Sequence, residues 1–453
     1  MSQLALLLDI GSTFTKALVC DLNAGRIVGR SQARTTARDD VMVGVRAALS
    51  HLGKFGLPTD PASRGYRARY ATSSAAGGLR MVCIGLTRGL TARAAREAAT
   101  GAGARIYGVF SGRLDREKIR KIADLAPDIV LFTGGINGGN EDHVLDNARL
   151  LATLPGRVPV VVGCNADVAS LAAEVLSCAG LEVYLSRNVM PTLEGLDVAP
   201  AREIIRDVFM RHIVRAKGLG ELSALLDIEV MPTPYAVMKG VDLLGETYDS
   251  MAVDVGGATT DVYSASRGYP TEGDLIPRGL ADPRLRRTVE GDLGLREGVG
   301  SLLDLAQGRV LRGVRTAFPD FDRDALRTAA RRREKERTYL ADDPLEDKVD
   351  LELGKSCIDL ATRRHAGVVE VEDTPRGQLR YLRGKDLRDV EVLVGTGGAF
   401  VGAARRGYSR KLLEAALFAK DESLRPVNPR LLVDPGYSVF AAGLLSFEHI
   451  EAS

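Results

Sequence analysis

The sequence predicts an α/β protein built from two related halves, and two patterns carry this prediction. At about residues 66–185, short apolar strands alternate with helical segments, which is typical of a mostly parallel sheet covered by helices. An apolar strand ending in Asp, a glycine-rich turn with hydroxyl groups, and a second strand occur at residues 4–22 and again at 251–265. This repeat indicates an internal duplication. We therefore expect an N-terminal domain at residues 1–245, with additional β/α units, and a C-terminal domain at 246–453.

The elements of the first half follow in chain order. The first three strands are predicted at Leu4–Ile10, Phe14–Leu22 and Arg26–Gln32. Asp39 or Asp40 is then placed to cap a helix. Later strands are predicted at Arg67–Thr72, Met81–Leu86, Ala104–Phe110, Asp128–Thr133, Val158–Gly163 and Glu182–Leu185. Helices between these strands are predicted at Thr91–Thr100, Arg113–Leu125, Asp142–Leu154 and Asp167–Cys178.

The second half begins with a repeated hairpin, predicted as strands Met251–Val255 and Thr259–Ala265. Another apolar strand is expected at Glu391–Val394, and a last apolar helix at Tyr437–Leu445. Between them lies a mixed-charge run at Arg331–Arg337. We interpret this run as the solvated face of a helix rather than as a partner-binding arm.

Composition excludes several classes of protein. The chain has 61 Lys and Arg residues against 59 Asp and Glu residues, and this near-balance argues against a dedicated nucleic-acid binder. No apolar run approaches the roughly 18 residues that a membrane span requires, and the N-terminus lacks the basic flank of a signal peptide. The five cysteines are scattered, without a Cys-x-x-Cys pair, so we expect no disulfide framework and a reducing cytoplasm.

The turn after the first strand has the composition of a phosphate-binding site. Asp9 ends the strand, and Gly11, Ser12 and Thr13 supply a tight turn with hydroxyl and N–H groups. Successive backbone N–H groups form a concavity that binds anions, and Lys16 can add a positive charge beside a phosphate. A carboxylate at this place is understandable if Asp9 holds hydrated Mg²⁺. The alternative is a β-hairpin whose turn residues bind no ligand.

The second strand–turn–strand unit repeats this chemistry far along the chain. Asp254 ends its strand, and the turn contains Gly256, Gly257, Ala258 and Thr259. Two such hairpins would bracket a polyphosphate from opposite sides, and two accidental turns explain the pairing poorly. The repeat therefore favours phosphate binding over a purely structural interpretation.

A third glycine-rich turn contains Gly395, Gly397 and Gly398 and leads from a strand into a helix, whose N-terminus favours anions. A further strand with a glycine-rich turn, Ile129–Gly139, either lines a ligand cleft or is only a tight connection, and we favour the connection. Neither the P-loop pattern nor a Gly-x-Gly-x-x-Gly pattern after a strand occurs, so these nucleotide-binding folds are not supported.

In this order, the two Asp-x-Gly hairpins and the Gly-Thr-Gly-Gly turn resemble the phosphate-1, phosphate-2 and adenosine motifs of the actin, heat-shock chaperone and sugar-kinase ATPase superfamily. More narrowly, nearly the whole chain resembles the glutamate mutase MutL, or GlmL, family. The segments that carry this narrower resemblance are Asp9–Thr13, Ala71–Leu79, Phe132–Gly139, Asn188–Pro191, Pro232–Pro234, Val253–Asp261 and Glu290–Gly294.

The resemblance implies a two-domain actin-like ATPase fold of the RNase H-like type, with a nucleotide cleft between the domains. It implies ATP and Mg²⁺ as cofactors, with Asp9 and Asp254 holding Mg²⁺ through its waters. The two hairpin turns and Lys16 would contact the phosphates, and the third turn would face the adenosine.

Phosphoryl transfer depends mostly on positioning and charge stabilisation, so a weak water-orienting carboxylate suffices. Asp254 is the first candidate for this role, and Glu290 or Asp292 is the second. The alternative for the last two is a helix N-cap with a neighbouring acid.

The function implied by the resemblance is ATP-dependent reactivation of an adenosylcobalamin-dependent mutase of the glutamate mutase or aminomutase type. Such a chaperone would bind the mutase as its protein partner and release damaged cobalamin from it. The Asp-x-His-x-x-Gly motif of mutases that hold cobalamin through a histidine is absent, which favours the helper over the mutase itself.

Three alternatives remain from the sequence. A small-molecule kinase would share both hairpins and need a substrate pocket with a base. A 2-hydroxyacyl-CoA dehydratase activator would need cysteines for an iron–sulfur cluster, and Cys164 and Cys178 are isolated. A nucleotide-binding scaffold would bind ATP without hydrolysing it.

Overall fold

The computed structural model describes residues 3–11, 13–36, 40–74, 79–99, 102, 104–192, 195–213, 219–279, 281–375, 377–417 and 421–448. Tertiary contacts divide the chain into unit 1, Met1–Ala236, and unit 2, Val237–Ser453. The division falls inside the helix Thr233–Leu244, and the boundary predicted after residue 245 lies just beyond the end of that helix.

The elements of unit 1 alternate between strands and helices after an initial run of strands. The strands are β1 (Leu4–Ile10), β2 (Phe14–Asp21), β3 (Arg26–Arg34), β4 (Tyr66–Ser73), β5 (Leu79–Gly85), β6 (Ala104–Ser111), β7 (Ile129–Gly134), β8 (Pro159–Cys164), β9 (Glu182–Leu185) and β10 (Met231–Pro232). The helices are α1 (Val41–Ser50), α2 (Arg88–Ala99), α3 (Arg116–Asp124), α4 (Glu141–Leu151), α5 (Ala166–Cys178), α6 (Ala199–Ile213), α7 (Leu219–Ser223) and α8 (Thr233–Leu244), which continues into unit 2.

The first sheet of unit 1 has the strand order β3-β2-β1-β4-β10. Strand β1 is antiparallel to β2 and parallel to β4. Its side chains are apolar on both faces, and Leu6 and Leu8 lie in the main core of the unit, which suits a central strand. Helix α1 begins after Asp40, whose carboxylate accepts the N–H of Met42 at 2.8 Å. The alternative cap, Asp39, lies outside the described residues.

A second sheet in unit 1 has the order β6-β5-β7-β8-β9, and its neighbouring strands are parallel. It confirms the parallel sheet predicted from the alternation of strands and helices. One assignment was wrong: β4, predicted within this alternating region, pairs with β1 in the first sheet. Apolar strands have the same local pattern in either sheet, so the pattern alone does not reveal the partner strand.

Unit 2 combines another mixed sheet with a long helical segment. Its strands are β11 (Ser250–Val255), β12 (Thr260–Ala265), β13 (Leu275–Pro277), β14 (Leu285–Glu290), β15 (Val368–Thr374), β16 (Gly377–Arg383), β17 (Val392–Thr396) and β18 (Arg430–Val433). Its helices after α8 are α9 (Val299–Arg315), α10 (Arg323–Lys335), α11 (Pro344–His365), α12 (Gly398–Arg405), α13 (Ser409–Leu413) and α14 (Ser438–Leu445).

The main sheet of unit 2, β14-β12-β11-β17-β18, repeats the topology of the first sheet of unit 1. In each, an antiparallel hairpin continues into a third antiparallel strand on one side and into two parallel strands on the other. Asp9 pairs with Thr72 on β4, and Asp254 pairs with Thr396 at the equivalent place on β17. The α/β class and the internal duplication are therefore confirmed, and the arrangement is the one expected of the actin-like fold.

Helices α9, α10 and α11 supply the core of unit 2 beside this sheet, with Leu302, Val310 and Leu353 fully buried. A smaller sheet, β13-β16-β15, packs through Leu275 and Leu382. Among the described residues, no helix combines the length and the apolar character needed to cross a membrane.

The mixed-charge run at Arg331–Arg337 is largely exposed, as predicted, but one member is not. Arg333 is completely buried and donates to Asp350 and Glu346, each at 2.7 Å. The run also continues past the end of α10 at Lys335. The charge pattern predicted the exposed face correctly but did not reveal the cation that turns inward toward acids on α11.

Candidate functional site

The turn of the first hairpin is closed by a hydrogen bond from the N–H of Gly11 to the carbonyl of Phe14, at 3.1 Å. A Cβ on Gly11 would lie 2.8 Å from that carbonyl oxygen, so the close approach requires glycine. The carbonyl of Thr13 accepts the N–H of Thr35 at 2.9 Å, which ties the turn to the end of β3. Ser12 lies outside the described residues. The predicted tight turn is present, and its ligand stays a prediction.

Asp9 is 2% exposed at the end of β1, and three side chains contact its carboxylate. Lys16, directly opposite on β2, donates to Oδ2 at 2.7 Å. The hydroxyl groups of Thr72 and Thr233 donate to Oδ1 at 3.1 and 2.8 Å. These contacts compensate for burial of the charge and hold the carboxylate in one orientation. Lys16 therefore lies against Asp9 as well as beside the predicted phosphate turn.

Sequence reasoning assigned no role to Thr72 or Thr233, although both lie in segments that carry the family resemblance. Thr72 stands on β4, in register with Asp9. Thr233 begins α8, directly after the short strand β10, which pairs with β4. Thr72 ends a predicted strand, whereas no strand was predicted before Thr233, so the shared role of the two threonines becomes visible only when the strand order is known.

The second hairpin repeats the first turn closely. The N–H of Gly256 donates to the carbonyl of Thr259 at 2.9 Å, the counterpart of the Gly11 bond. The N–H groups of Gly257 and Ala258 donate to no other group within the part of the chain that the structure describes. Successive N–H groups without an internal acceptor form an anion-binding turn. This turn therefore has the donors that a phosphate would accept from.

The hairpin of unit 2 differs in the residue opposite the strand-end Asp, because Asp254 pairs with another acid, Asp261. Arg287 on β14 donates to Oδ1 of Asp261 at 3.0 and 2.6 Å, and both side chains are largely buried. The other oxygen of Asp261 accepts the hydroxyl of Thr259 at 3.2 Å. Asp261, which had no assigned role, thus fixes the last residue of the turn.

The third turn lies directly against Asp254. A Cβ on Gly397 would be 2.1 Å from Oδ1 of Asp254, so the backbone of Gly397 contacts this carboxylate. Gly398 begins α12 and faces open space. Gly395 differs from both, because the ring of Phe400 occupies the place of its missing side chain, and a Cβ there would lie 2.4 Å from a ring carbon. Packing against Phe400 therefore accounts for glycine at 395.

Asp434 stabilises the far side of the third turn, and sequence reasoning did not identify it. Its Oδ2 accepts the hydroxyl of Thr396 at 3.1 Å. At the start of α14, Oδ1 of Asp434 accepts the N–H of Ser438 at 2.7 Å, and Oδ2 accepts the N–H of Val439 at 3.1 Å. The carboxylate thus caps α14 and joins it to the end of β17.

Glu290 and Asp292, the second candidates for orienting water, both bind Arg364 near the end of α11. Arg364 donates to Glu290 at 2.6 Å and to both oxygens of Asp292 at 2.8 and 2.9 Å. Burial raises the pKa of Glu290, and Arg364 opposes this shift. The hydrogen bonds from Arg364 lower the pKa of Asp292. Neither acid is the helix N-cap that was considered as an alternative, because the N-cap of α9 is Gly298.

Asp9 and Asp254 can each offer one carboxylate to Mg²⁺, which takes few protein ligands and keeps most of its waters. In the described ranges, no group of three or more His, Cys, Asp or Glu side chains is placed to hold a metal ion. The oxygen chemistry of the two carboxylates fits the predicted ion, and the assignment stays a prediction.

The Thr133–Gly139 stretch is held by amide side chains at the carboxyl end of β7. Asn188 donates to the carbonyl of Gly135 at 3.1 Å and to Asn137 at 2.7 Å. Asn165, which is fully buried, donates to the carbonyl of Gly139 at 3.4 Å. These bonds describe a tightly tied connection.

Comparison with known proteins places the chain in a family. The family model described as MutL protein matches residues 5–453. The chain belongs to the MutL protein family. A curated relative, Protein MutL of Clostridium tetanomorphum, is 37% identical over 450 residues, covering 97% of this chain and 95% of the relative. The resemblance inferred from the motifs is thus confirmed for this MutL family member.

Among solved structures, the chain is similar to a glycerol dehydratase reactivase at 13% identity, with 99% of this chain and 100% of that chain covered and a TM-score of 0.36. It is also similar to component A of (R)-2-hydroxyglutaryl-CoA dehydratase from Acidaminococcus fermentans, at 10% identity. That match covers 100% of this chain and 99% of that chain, with a TM-score of 0.34. Gluconate kinase from Lactobacillus acidophilus is similar at 10% identity, with 100% of this chain and 90% of that chain covered and a TM-score of 0.35.

Proposed function

We propose that this MutL family member is an ATPase that reactivates an adenosylcobalamin-dependent mutase. The observation that carries the proposal is the repeated turn. Each unit has an antiparallel hairpin with Asp at the strand end and glycine two residues later, and the same N–H to carbonyl bond closes each turn. Two turns of one design, one with backbone donors at Gly257 and Ala258, support the binding of a polyphosphate.

In this proposal the turns at Gly11–Thr13 and Gly256–Thr259, together with Lys16, bind ATP phosphates. Asp9 and Asp254 hold Mg²⁺, which supplies charge stabilisation for the transferred phosphoryl group. The contact between Gly397 and Asp254 supports a place for the third turn in the same nucleotide site.

Asp254 is our first candidate for orienting the attacking water, and Glu290 is the second. Burial raises the pKa of Glu290, and its short ion pair with Arg364 opposes this rise. Substitution of Glu290 by Gln tests the second assignment, because loss of a water-orienting acid should lower kcat while leaving ATP binding intact.

The proposed partner is a mutase of the glutamate mutase or aminomutase type, and the proposed action is release of damaged cobalamin after ATP binding and hydrolysis. Membership of the MutL family supports this partner, since the narrower resemblance is to the MutL of glutamate mutase. The scattered cysteines support a reducing cytoplasm as the compartment.

The first test is the variant pair Asp9→Asn and Asp254→Asn, which keeps the size of each side chain. Loss of a metal-binding carboxylate should reduce Mg²⁺-dependent ATP hydrolysis by about 100-fold or more, because the metal supplies several kcal/mol of charge stabilisation. Asp324→Asn, on the exposed side of α10, is the control. Full hydrolysis by either site variant, with circular dichroism unchanged, would remove that residue from the proposed site.

The second test concerns the partner. A cobalamin mutase inactivated with cyanocobalamin should regain activity on addition of this protein, ATP, Mg²⁺ and fresh adenosylcobalamin. It should not recover with a non-hydrolysable ATP analogue. ADP release that depends on a small molecule, without any mutase, would instead indicate a kinase, and ATP binding without turnover would indicate a scaffold.

A further inference from the structure

The loop at Asp292–Gly298, called here the 292–298 loop, hydrogen-bonds to the carbonyl side of the second phosphate turn. The N–H of Leu295 donates to the carbonyl of Gly256 at 3.2 Å, and the N–H of Arg296 donates to that of Gly257 at 2.7 Å. A trans peptide is planar, with its C=O and N–H pointing in opposite directions. The bonds to the loop therefore direct the N–H groups of Gly257 and Ala258 away from it.

The loop approaches the turn so closely that a side chain does not fit between them. A Cβ on Gly294 would lie 2.5 Å from the carbonyl carbon of Ala258 and 2.6 Å from the carbonyl oxygen of Gly257. These neighbours are backbone atoms, so they cannot rotate aside. Gly291, just before the loop, has open space at the corresponding position.

Two arginines fasten the 292–298 loop to helix α11. At its start, Asp292 accepts two hydrogen bonds from Arg364, which also binds Glu290 at the end of β14. Toward its end, Arg296 pairs with Asp350 at 3.4 Å, and both side chains are mostly buried.

Arg296 is held further by carbonyl groups. Its guanidinium donates to the carbonyl of Tyr339 at 2.9 Å and to that of Leu295 at 2.8 Å. Asp350 also accepts Arg333, which is fully buried. Arg296 is thus fixed by a charged network that continues into α10.

We propose that Arg364 and Arg296 are positioning residues for nucleotide binding, because they hold the 292–298 loop that orients the N–H groups of the second phosphate turn. The inference rests on the proposed function for its ligand, ATP. The claim that the loop holds the turn depends only on the geometry within unit 2. These two parts can be tested separately.

The first experiment compares Gly294→Ala with Gly291→Ala in the full-length protein, without nucleotide. In Gly294→Ala the amides of Leu295 and Arg296 should exchange with deuterium about tenfold faster or more, because their acceptors are displaced. Gly291→Ala should exchange like the unmodified protein. Equal protection of these amides in both variants would overturn the claim that close packing of the loop holds the turn.

The second experiment compares Arg364→Ala with Arg363→Ala, its neighbour on α11, which pairs with Asp359 and Asp421 outside the loop. Misplacement by about 1 Å can cost about 100-fold in activity, so we expect the KM for ATP to rise about tenfold or more in Arg364→Ala. Arg296→Ala should raise it similarly. A merely structural role would reduce the amount of folded protein, and so the apparent kcat, without raising KM.

Equal KM values for Arg364→Ala and Arg363→Ala would overturn the role of Arg364, and a normal KM for Arg296→Ala would overturn that of Arg296. If the unmodified protein neither binds nor hydrolyses ATP, the proposed function fails. The exchange experiment then still decides whether the loop holds the turn.

Discussion

Gly397 offers the most direct test of the contact between the third turn and Asp254. Its backbone has φ 92° and ψ 175°, a conformation that is essentially confined to glycine. A Cβ there would lie 2.1 Å from Oδ1 of Asp254 and 2.8 Å from the carbonyl oxygen of Val255. We therefore expect Gly397→Ala both to strain the turn and to displace the Asp254 carboxylate.

The strain alone should cost about 1–3 kcal/mol. For a unit of this size, 1 kcal/mol shifts the melting temperature by roughly 2–4 °C, so the expected decrease is about 2–12 °C. Gly398→Ala is the matched control, because this neighbour begins α12 and faces open space. Alanine is favoured over glycine within a helix by about 0.5–1 kcal/mol, so the control should be neutral or slightly stabilising.

Differential scanning fluorimetry gives the melting temperatures, and a steady-state assay gives ATP hydrolysis for the same samples. Gly397→Ala should lose hydrolysis well below its melting temperature, since Asp254 is displaced in the folded state. Gly398→Ala should keep the melting temperature of the unmodified protein. If the two variants melted together and hydrolysed ATP equally well, the inferred contact between Gly397 and Asp254 would be incorrect.

Two further predictions concern single side chains. Thr233→Val removes a hydroxyl that donates to buried Asp9, and a hydrogen bond to a charged group contributes about 1.5–3 kcal/mol to stability. The melting temperature of Thr233→Val should therefore fall, while that of Thr233→Ser stays close to normal. Equal melting temperatures of the two variants would contradict the assigned hydrogen bond. Burial lowers the pKa of His365 well below its usual value, so below about pH 6.5 the unfolded chain binds a proton that the folded chain does not, and stability falls as the pH falls. His365→Asn should weaken this loss between about pH 7.5 and 5.5 in fluorimetric melts, and an unaltered pH profile in His365→Asn would refute the assignment.

The turns themselves were predictable because their chemistry is local. A hairpin is determined by a few neighbouring residues: an apolar strand, an Asp at its end and a glycine two residues later. Both hairpins lie where this pattern predicts them. The duplication was visible for the same reason, since Asp9 and Asp254 recur in the same local setting. Local patterns also predicted the helix behind Asp40.

The partners of these residues were not predictable, because a side chain does not specify which distant strand or helix will face it. Thr233 reaches Asp9 only because β10 pairs with β4, and Arg364 reaches Asp292 only because α11 packs beside the sheet of unit 2. The same limit explains Gly395, whose glycine accommodates Phe400 rather than a turn.

From its sequence alone, the protein was recognisable as a duplicated α/β chain with paired Asp-x-Gly turns, since hydrophobic periodicity and turn chemistry act over neighbouring residues. Only the tertiary structure decided which strands share a sheet and which charges compensate each buried acid. Those choices depend on burial and on contacts between residues far apart in the chain, where the free energy of each pair is set by its surroundings rather than by its sequence neighbours.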